Sequence, residues 1–293
     1  MSFDPPRGDV RDVVERALTE DLTPLGDLTS SLLDPEIDAT ADFVAREAGV
    51  LAGTACAAES FAQVDDRVVL EFSCADGTVL APGTRIGAVH GRLASILTAE
   101  RTALNFMGHL SGIATVTARY VAAAAAGGAA RVWDTRKTTP GLRSLEKAAV
   151  RAGGAHNHRG SLSDWILLKD NHIAGIGITE AVERAASRWP GRTVHIECDR
   201  LDQMVEAINA GADAVLLDNM SPHDVAACVA EADRLAASGR ACLIEVSGGI
   251  TLETIGQFSA AGAHMISVGR ITNSAPTLDI GLDIETGETG ARV

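Results

Sequence analysis

The chain is short of aromatic residues, of lysine and of cysteines that could pair, and each shortage narrows what it can be. Only ten of its 293 residues are aromatic (six Phe, three Trp, one Tyr), against 29 Gly. A core so poor in rings is filled by Ala, Val, Leu and Ile, which suits close packing of helices on strands and favours an α/β protein. The five cysteines, Cys56, Cys74, Cys198, Cys228 and Cys242, are odd in number, widely spaced and form no C-x-x-C. That excludes a disulfide frame and a zinc ribbon and fits a reducing cytoplasm. Acidic residues outnumber basic ones by 39 to 25, giving −14, and the resulting field repels polyphosphates. Nucleic acid and anionic membrane are therefore excluded as partners. The opening MSFDPPRGDVRD has neither an apolar segment nor a cleavage site, and no apolar run reaches the length of a membrane span, so no targeting peptide or transmembrane helix is expected. G-x-G-x-x-G, G-x-x-x-x-G-K-[ST], G-x-S-x-G and H-E-x-x-H are all missing. Dinucleotide, P-loop, serine-hydrolase and zincin readings have no support.

What is present falls into two rhythms. Val10, Val13, Val14, Ala17 and Leu18 recur at helical spacing, which predicts an amphipathic helix capped by Asp9 and ending near Asp21. From about Ala39 to Gly91, short alternating runs broken by Asp76-Gly77 and Pro82-Gly83 predict a small antiparallel β domain, interrupted by one helix over residues 54–63. Residues 93–126 read as long helical segments with Ser111-Gly112 as a joint. After Gly128 six apolar runs alternate with helical stretches: RVWDTR, DWILLKD, TVHIECD, AVLLDN, CLIEVSGG and MISVGR. Near-continuous apolar strands alternating with helices imply a parallel sheet covered on both faces. The polar residues gather at the C-terminal end of every run, which favours an incomplete (β/α) barrel of six or seven strands over an open doubly wound sheet.

The chemistry is concentrated where the lysines are. Of 25 basic residues only Lys137, Lys147 and Lys169 are lysines, and all lie between residues 131 and 172. Five arginines share that window (Arg131, Arg136, Arg143, Arg151 and Arg159), so eight bases face four acids in an otherwise acidic chain. Arg143, Lys147 and Arg151 read as a solvated helix face. Arg136, Lys137 and Lys169 follow strand ends and read as anion ligands, as His158 beside Arg159 also can. Glu197 and Asp218 end neighbouring strands and can hold a divalent cation, ribose hydroxyls or a developing positive charge. Ser247-Gly248-Gly249 and Val268-Gly269-Arg270 close the last two strands, the usual phosphate-binding place in such barrels. The set describes an enzyme for a phosphorylated, multiply anionic substrate assisted by a cation such as Mg²⁺.

These residues resemble one family. T-R-K-T-T-P-G-L-R at 135–143, L-E-K at 145–147, H-R at 158–159, L-K-D-N-H at 168–172 and S-G-G-I at 247–250 are similar to type II phosphoribosyltransferases of the quinolinate phosphoribosyltransferase family. The resemblance runs almost end to end, through L-T-E-D and G-D-L-T-S near residues 18–30, E-R-T-A-L-N at 100–105, L-S-G-I-A-T at 110–115 and S-A-P with L-D-I-G-L-D at 274–283. It implies an N-terminal α+β sandwich-like domain over residues 1–112, a catalytic barrel over 113–273, and a tail, 274–293, that returns to the first domain.

The resemblance further implies transfer of phosphoribose from 5-phosphoribosyl-1-pyrophosphate to quinolinate, with loss of CO₂, in NAD biosynthesis. Arg136, His158, Arg159 and Lys169 would bind the quinolinate carboxylates and neighbouring phosphates, with Thr135 also in the substrate site. Arg101 would come from the other subunit of a homodimer with shared active sites, and Lys137 would lie near the pyrophosphate. Glu197 and Asp218 would meet Mg²⁺ or the ribose, and Ser247, Gly248, Gly249, Val268, Gly269 and Arg270 the 5′-phosphate. Mg²⁺ accompanies the pyrophosphate substrate, and no organic cofactor is expected. The chain departs from the family pattern at Ala155, Arg270 and Asn273. Two alternatives stand beside this expectation: a paralogue acting on another heteroaromatic acid, and a non-catalytic phosphosugar-binding barrel.

Overall fold

A computed structural model of the chain describes residues 4–286. The chain begins with α1 (Arg7–Leu22) and a 3₁₀ turn at Ser30–Leu32, followed by β1 (Asp38–Ala45), β2 (Gly49–Val50), α2 (Thr54–Val64), β3 (Val69–Phe72), β4 (Val79–Leu80), β5 (Arg85–Arg92) and α3 (Leu93–Gly127). Next come β6 (Arg131–Trp133), α4 (Arg143–Ala152), β7 (Ile166–Leu168), α5 (Asp170–Ile173), α6 (Ile178–Arg188), β8 (Val194–Cys198) and α7 (Leu201–Ala210). The rest is β9 (Ala214–Asp218), α8 (Pro222–Ala236), β10 (Leu243–Ser247), α9 (Ile255–Ala260), β11 (Met265–Ser267), α10 (Arg270–Asn273) and β12 (Ile280–Thr286). Two compact units result, one of Met1–Ala118, Thr138–Gly154 and Ile271–Val293, the other of Arg119–Lys137 and Ala155–Arg270. Among the described residues no helix is long and apolar enough to cross a membrane.

In the first unit, an antiparallel sheet in the order β12-β1-β5-β3 is built on period-two alternation. Ala39, Ala41, Phe43 and Ala45 of β1 point to the core while their neighbours face outward. The alanines leave room for Phe43, which meets Phe61 of α2 edge-on at 6.0 Å and Phe72 of β3 at 5.9 Å. Burying each such ring contributes roughly 1.5–3 kcal/mol. β12 pairs with β1 from Ala39↔Thr286 to Ala45↔Ile280, so the returning tail supplies an edge strand. Residues 1–3 of the opening stretch and 287–293 of the expected tail lie outside the described residues. The first helix buries Val10, Val13, Val14 and Leu18 as its spacing predicts, but it starts at Pro6 rather than Asp9. Proline needs no N–H partner there, and its carbonyl accepts from Val10 N at 3.2 Å. Asp9 sits in the first turn instead.

Two further expectations for this unit are corrected. α3 is one unbroken helix of 35 residues with no joint at Ser111-Gly112. Ser111 Oγ bridges the backbone of Ala52, accepting from its N–H at 2.9 Å and donating to its carbonyl at 3.0 Å. A Cβ on Gly112 would overlap the carbonyl of Pro276. Both residues therefore serve close packing, not bending. The solvated face assigned to Arg143, Lys147 and Arg151 is likewise not observed: α4 buries Lys147, only 7% exposed, and Glu146, fully enclosed. The Glu146 carboxylate lies 3.0 Å from His109 Nε2 and accepts from Thr139 N, so α4 is a largely buried helix with its acid hydrogen-bonded. Gly112→Ala is expected to destabilise the protein by about 2–3 kcal/mol, because the clash is with backbone. Gly8→Ala in α1, where nothing lies within 4 Å, is expected to gain about 0.5 kcal/mol. Urea unfolding of the two variants checks this, and a neutral Gly112→Ala would contradict the packing account.

In the second unit, the six expected strands form one parallel sheet in the order β6-β11-β10-β9-β8-β7. Beyond β6, residues 155–158 lie alongside it: His156 N donates to Val132 O at 2.9 Å and Asp134 N to His156 O at 3.0 Å. The sheet is therefore extended by a strand-like segment, making the unit barrel-like. Registers such as Ser247↔Asp218, Glu245↔Leu216 and Leu167↔His195 align the strand ends. Because side chains alternate, His195 shares a face with Glu197, Leu216 with Asp218, and Glu245 with Ser247.

Candidate active site

The site begins with Asp134, the residue after β6, whose side chain is fully buried. Its carboxylate accepts from Asn157 Nδ2 at 2.8 Å and from His158 N at 2.7 Å. A buried carboxylate is costly unless bonded, so this acid fixes the 156–158 segment and the direction in which His158 leaves it. His158 is 6% exposed, and its ring meets Trp165 edge-on at 4.7 Å.

The cations follow the strand ends. Arg136 and Lys137 come after β6, and Lys137 N donates to Thr135 Oγ1 at 3.0 Å. Arg136 Nε is buried with no hydrogen-bond partner. Arg159 Nη1 reaches Trp165 O at 3.4 Å, and burial, then the nearby charge of Arg136, push its guanidinium below the usual arginine range. The Arg136 charge beside the half-buried Arg159 guanidinium favours a bound anion there. Lys169 follows β7, and its ammonium is ion-paired to Glu197 at the next strand. Its backbone N–H donates to His172 Nδ1 at 3.0 Å, which anchors the turn into α5.

Acids and glycine turns complete the rim. Glu197 on β8 and Asp218 at the end of β9 stand on adjacent strands. Asp218 accepts from Asn219 Nδ2 at 2.6 Å, and Asn219, with φ of 56°, donates its backbone N–H to Ser247 O at 3.0 Å. Gly248 has φ of 90°, and a Cβ there would collide with Asn219. Only glycine allows the β10 turn to lie against the β9 turn. At Gly269 a Cβ would come within 2.8 Å of Lys137 Cδ, so a side chain there would push the flexible lysine stem aside.

All the residues singled out in this unit from the sequence therefore sit at C-terminal strand ends or in the loops that follow: Thr135, Arg136, Lys137, His158, Arg159, Lys169, Glu197, Asp218, Ser247, Gly248, Gly249, Val268, Gly269 and Arg270. Val268 differs from the expectation. Its side chain is buried and its N–H is engaged by Trp133 O at 2.9 Å, so it supports the turn and offers no donor. Arg270 is exposed at the start of α10. Arg101 belongs to the first unit, exposed on α3.

Sequence reasoning missed a layer beneath the rim. Glu245 is fully buried, its Oε2 lying 3.2 Å from His158 Nε2 and 3.5 Å from His195 Nδ1. Burial alone, the largest influence, would push this carboxyl upward; His158, His195 and Ser267 together hold it down at about 2. Trp165 stacks flat on His195 at 5.0 Å and 20°. The signal was parity: Glu245 precedes Ser247 by two residues and His195 precedes Glu197 by two, so each faces the same interior as a rim residue.

Comparison with known proteins matches both parts of the chain to one family. Residues 113–283 match the C-terminal domain of quinolinate phosphoribosyl transferase, and residues 27–111 match its N-terminal domain. The chain is 42% identical over 262 residues to a probable nicotinate-nucleotide pyrophosphorylase (carboxylating) of Bacillus subtilis, covering 88% of each chain. With the nicotinate-nucleotide pyrophosphorylase of Mycobacterium leprae it shares 39% identity over 94% of this chain and 96% of the relative. The solved nicotinate-nucleotide pyrophosphorylase of Francisella tularensis superposes with a TM-score of 0.90 at 37% identity, over 97% of this chain and 99% of the other. With cationic strand ends, paired carboxylates, glycine turns and both domain matches in one chain, the protein belongs to the quinolinate phosphoribosyltransferase family.

Proposed function

We propose that the chain transfers the 5-phosphoribosyl group of 5-phosphoribosyl-1-pyrophosphate to the ring nitrogen of quinolinate, releasing pyrophosphate and CO₂ and leaving nicotinate mononucleotide for NAD synthesis. The observation that carries this reading is Arg136, whose buried Nε–H has no partner while Arg159 lies close enough to feel its charge. A buried N–H donor left unsatisfied is costly, and a substrate carboxylate relieves the cost. Arg136, Arg159, His158 and Lys169 supply donors for the two carboxylates of quinolinate, with Thr135 shaping the same loop.

Glu197 and Asp218 face the ribosyl carbon, where positive charge grows as the C1′–O bond to pyrophosphate breaks and the N–C1′ bond forms. Their oxygen-only donor set also fits a hydrated Mg²⁺ carried by the pyrophosphate, which Asp218 and Glu197 would help to hold, Glu197 while paired to Lys169. When bound, that ion neutralises the leaving pyrophosphate. Lys137 lies toward the pyrophosphate. Backbone N–H groups of the Ser247-Gly248-Gly249 turn and of Gly269, with Arg270, hold the 5′-phosphate. Once the ring nitrogen is alkylated, the C2–carboxylate bond breaks, CO₂ leaves, and the electron pair on C2 is stabilised by the adjacent N⁺ until water supplies a proton. Little acid–base work falls to the protein. Arg101 of the partner subunit completes the site in a homodimer.

Quinolinate and nicotinate offered separately with 5-phosphoribosyl-1-pyrophosphate and Mg²⁺ test the reading. One CO₂ per mononucleotide is expected from quinolinate. For nicotinate, kcat/KM should be at least about a hundredfold lower, because the missing carboxylate leaves donors of the cationic cluster, the buried Arg136 Nε–H among them, without a partner. Equal turnover of nicotinate would replace quinolinate by another acceptor.

A further inference from the structure

His158 is held at two points by two buried acids. Asp134 takes its backbone N–H at 2.7 Å, and Glu245 lies 3.2 Å from its ring Nε2. The fold has no need of Glu245: it stands on a strand between Ile244 and Val246, both fully buried, where an apolar side chain of similar volume would fill the barrel-like interior without desolvating a charge. Its Oε1 has no partner, and its Oε2 is shared with His195 Nδ1, which also makes no hydrogen bond of good length. A buried carboxylate kept at that cost, and aimed at a ring in the acceptor site, calls for a role outside packing.

We propose that Glu245 is a positioning residue for the acceptor: its carboxylate grips the His158 ring by the Nε2 edge, between Asp134 and Trp165, so that the ring is presented to a quinolinate carboxylate in one orientation. His195, stacked on Trp165, and Ser267, which helps hold the carboxyl in its charged form, keep Glu245 in place. Glu245 acts through His158 and touches no substrate. The inference rests on the proposed role of His158 in binding quinolinate.

Steady-state kinetics with each substrate varied separately test it, after melting temperatures confirm folding. Glu245→Gln keeps the shape but replaces a charge-assisted hydrogen bond by a neutral one about half as strong. The quinolinate KM should rise at least about tenfold, with the 5-phosphoribosyl-1-pyrophosphate KM within about twofold of wild type. In a His158→Gln background the same change should add less than about twofold, since the ring it positions is gone. His195→Gln and Ser267→Ala, milder changes that serve if Glu245→Gln does not fold, should raise the quinolinate KM by about two- to fivefold. An unchanged quinolinate KM, a parallel rise in both KM values, or additive effects in the double variant would overturn the inference while leaving quinolinate as the substrate. A wild-type enzyme that neither binds nor consumes quinolinate would overturn the functional reading and this one with it.

Discussion

Lys169→Arg and Lys137→Arg should each lose about a hundredfold in kcat/KM although both keep the positive charge. Lysine is a compact ammonium on a flexible stem, whereas guanidinium is a wide plane that needs room on both edges. Both side chains reach solvent, yet each is placed by one close neighbour. Lys169 sits against Glu197 across the β7–β8 strand ends, and the stem of Lys137 runs so close to Gly269 that even a methyl group there would crowd it. A guanidinium at either position must displace the ligand or its neighbour, and a misplacement of about 1 Å can cost on the order of 10²-fold in rate. Lys147→Arg is the comparison. It lies buried in α4 and not on a solvated face, so its variant should lower the melting temperature by several degrees while the folded fraction keeps most of its kcat/KM. Rates near wild type for Lys137→Arg and Lys169→Arg would mean that confinement of lysine to residues 131–172 is an accident of composition.

The same contrast explains what could be read from the sequence. The six barrel strands were legible because RVWDTR, DWILLKD and their successors are apolar on both faces and end in polar residues, a pattern that parallel sheets with ligands at their C-terminal edges impose. The strand-end positions of Arg136, Lys169, Glu197 and Asp218 were legible because each charge closes an apolar run. The same reasoning fails for charges that are wholly enclosed. Lys147 looked like part of a solvated face with Arg143 and Arg151, and nothing local reveals that the neighbouring Glu146 is enclosed against His109, 37 residues before it. Glu245 looked like one more strand-end polar residue, yet it lies a layer deeper, where His158 and His195 arrive from other segments. Gly112 reads as a helix joint until the Pro276 carbonyl is seen against it. Periodicity records which face a residue takes, while the identity of a distant partner is settled only by packing.

The remaining large effect concerns Arg101. It is exposed on α3 between the partly buried Glu100 and the buried run Thr102, Ala103 and Leu104, and among the described residues it forms no hydrogen bond or ion pair. An arginine exposed on a helix without a hydrogen bond or ion pair has little structural value. If it completes the active site of a partner subunit, Arg101→Ala should lower kcat/KM by about a thousandfold with no change in melting temperature, because a charged donor to substrate is lost and nothing in its own fold is disturbed. Lys169→Ala should fail equally, but within its own barrel-like unit. Mixing the two inactive proteins under subunit exchange produces heterodimers in which one site lacks both groups and the other has both. With random exchange half the dimers are mixed and each carries one intact site, so activity should return to about a quarter of wild type. Mass spectrometry or differential tags can verify the exchange independently of activity. Verified heterodimers without recovery would place Arg101 and Lys169 in the same subunit's site, and a fully active Arg101→Ala protein would remove Arg101 from the reaction altogether.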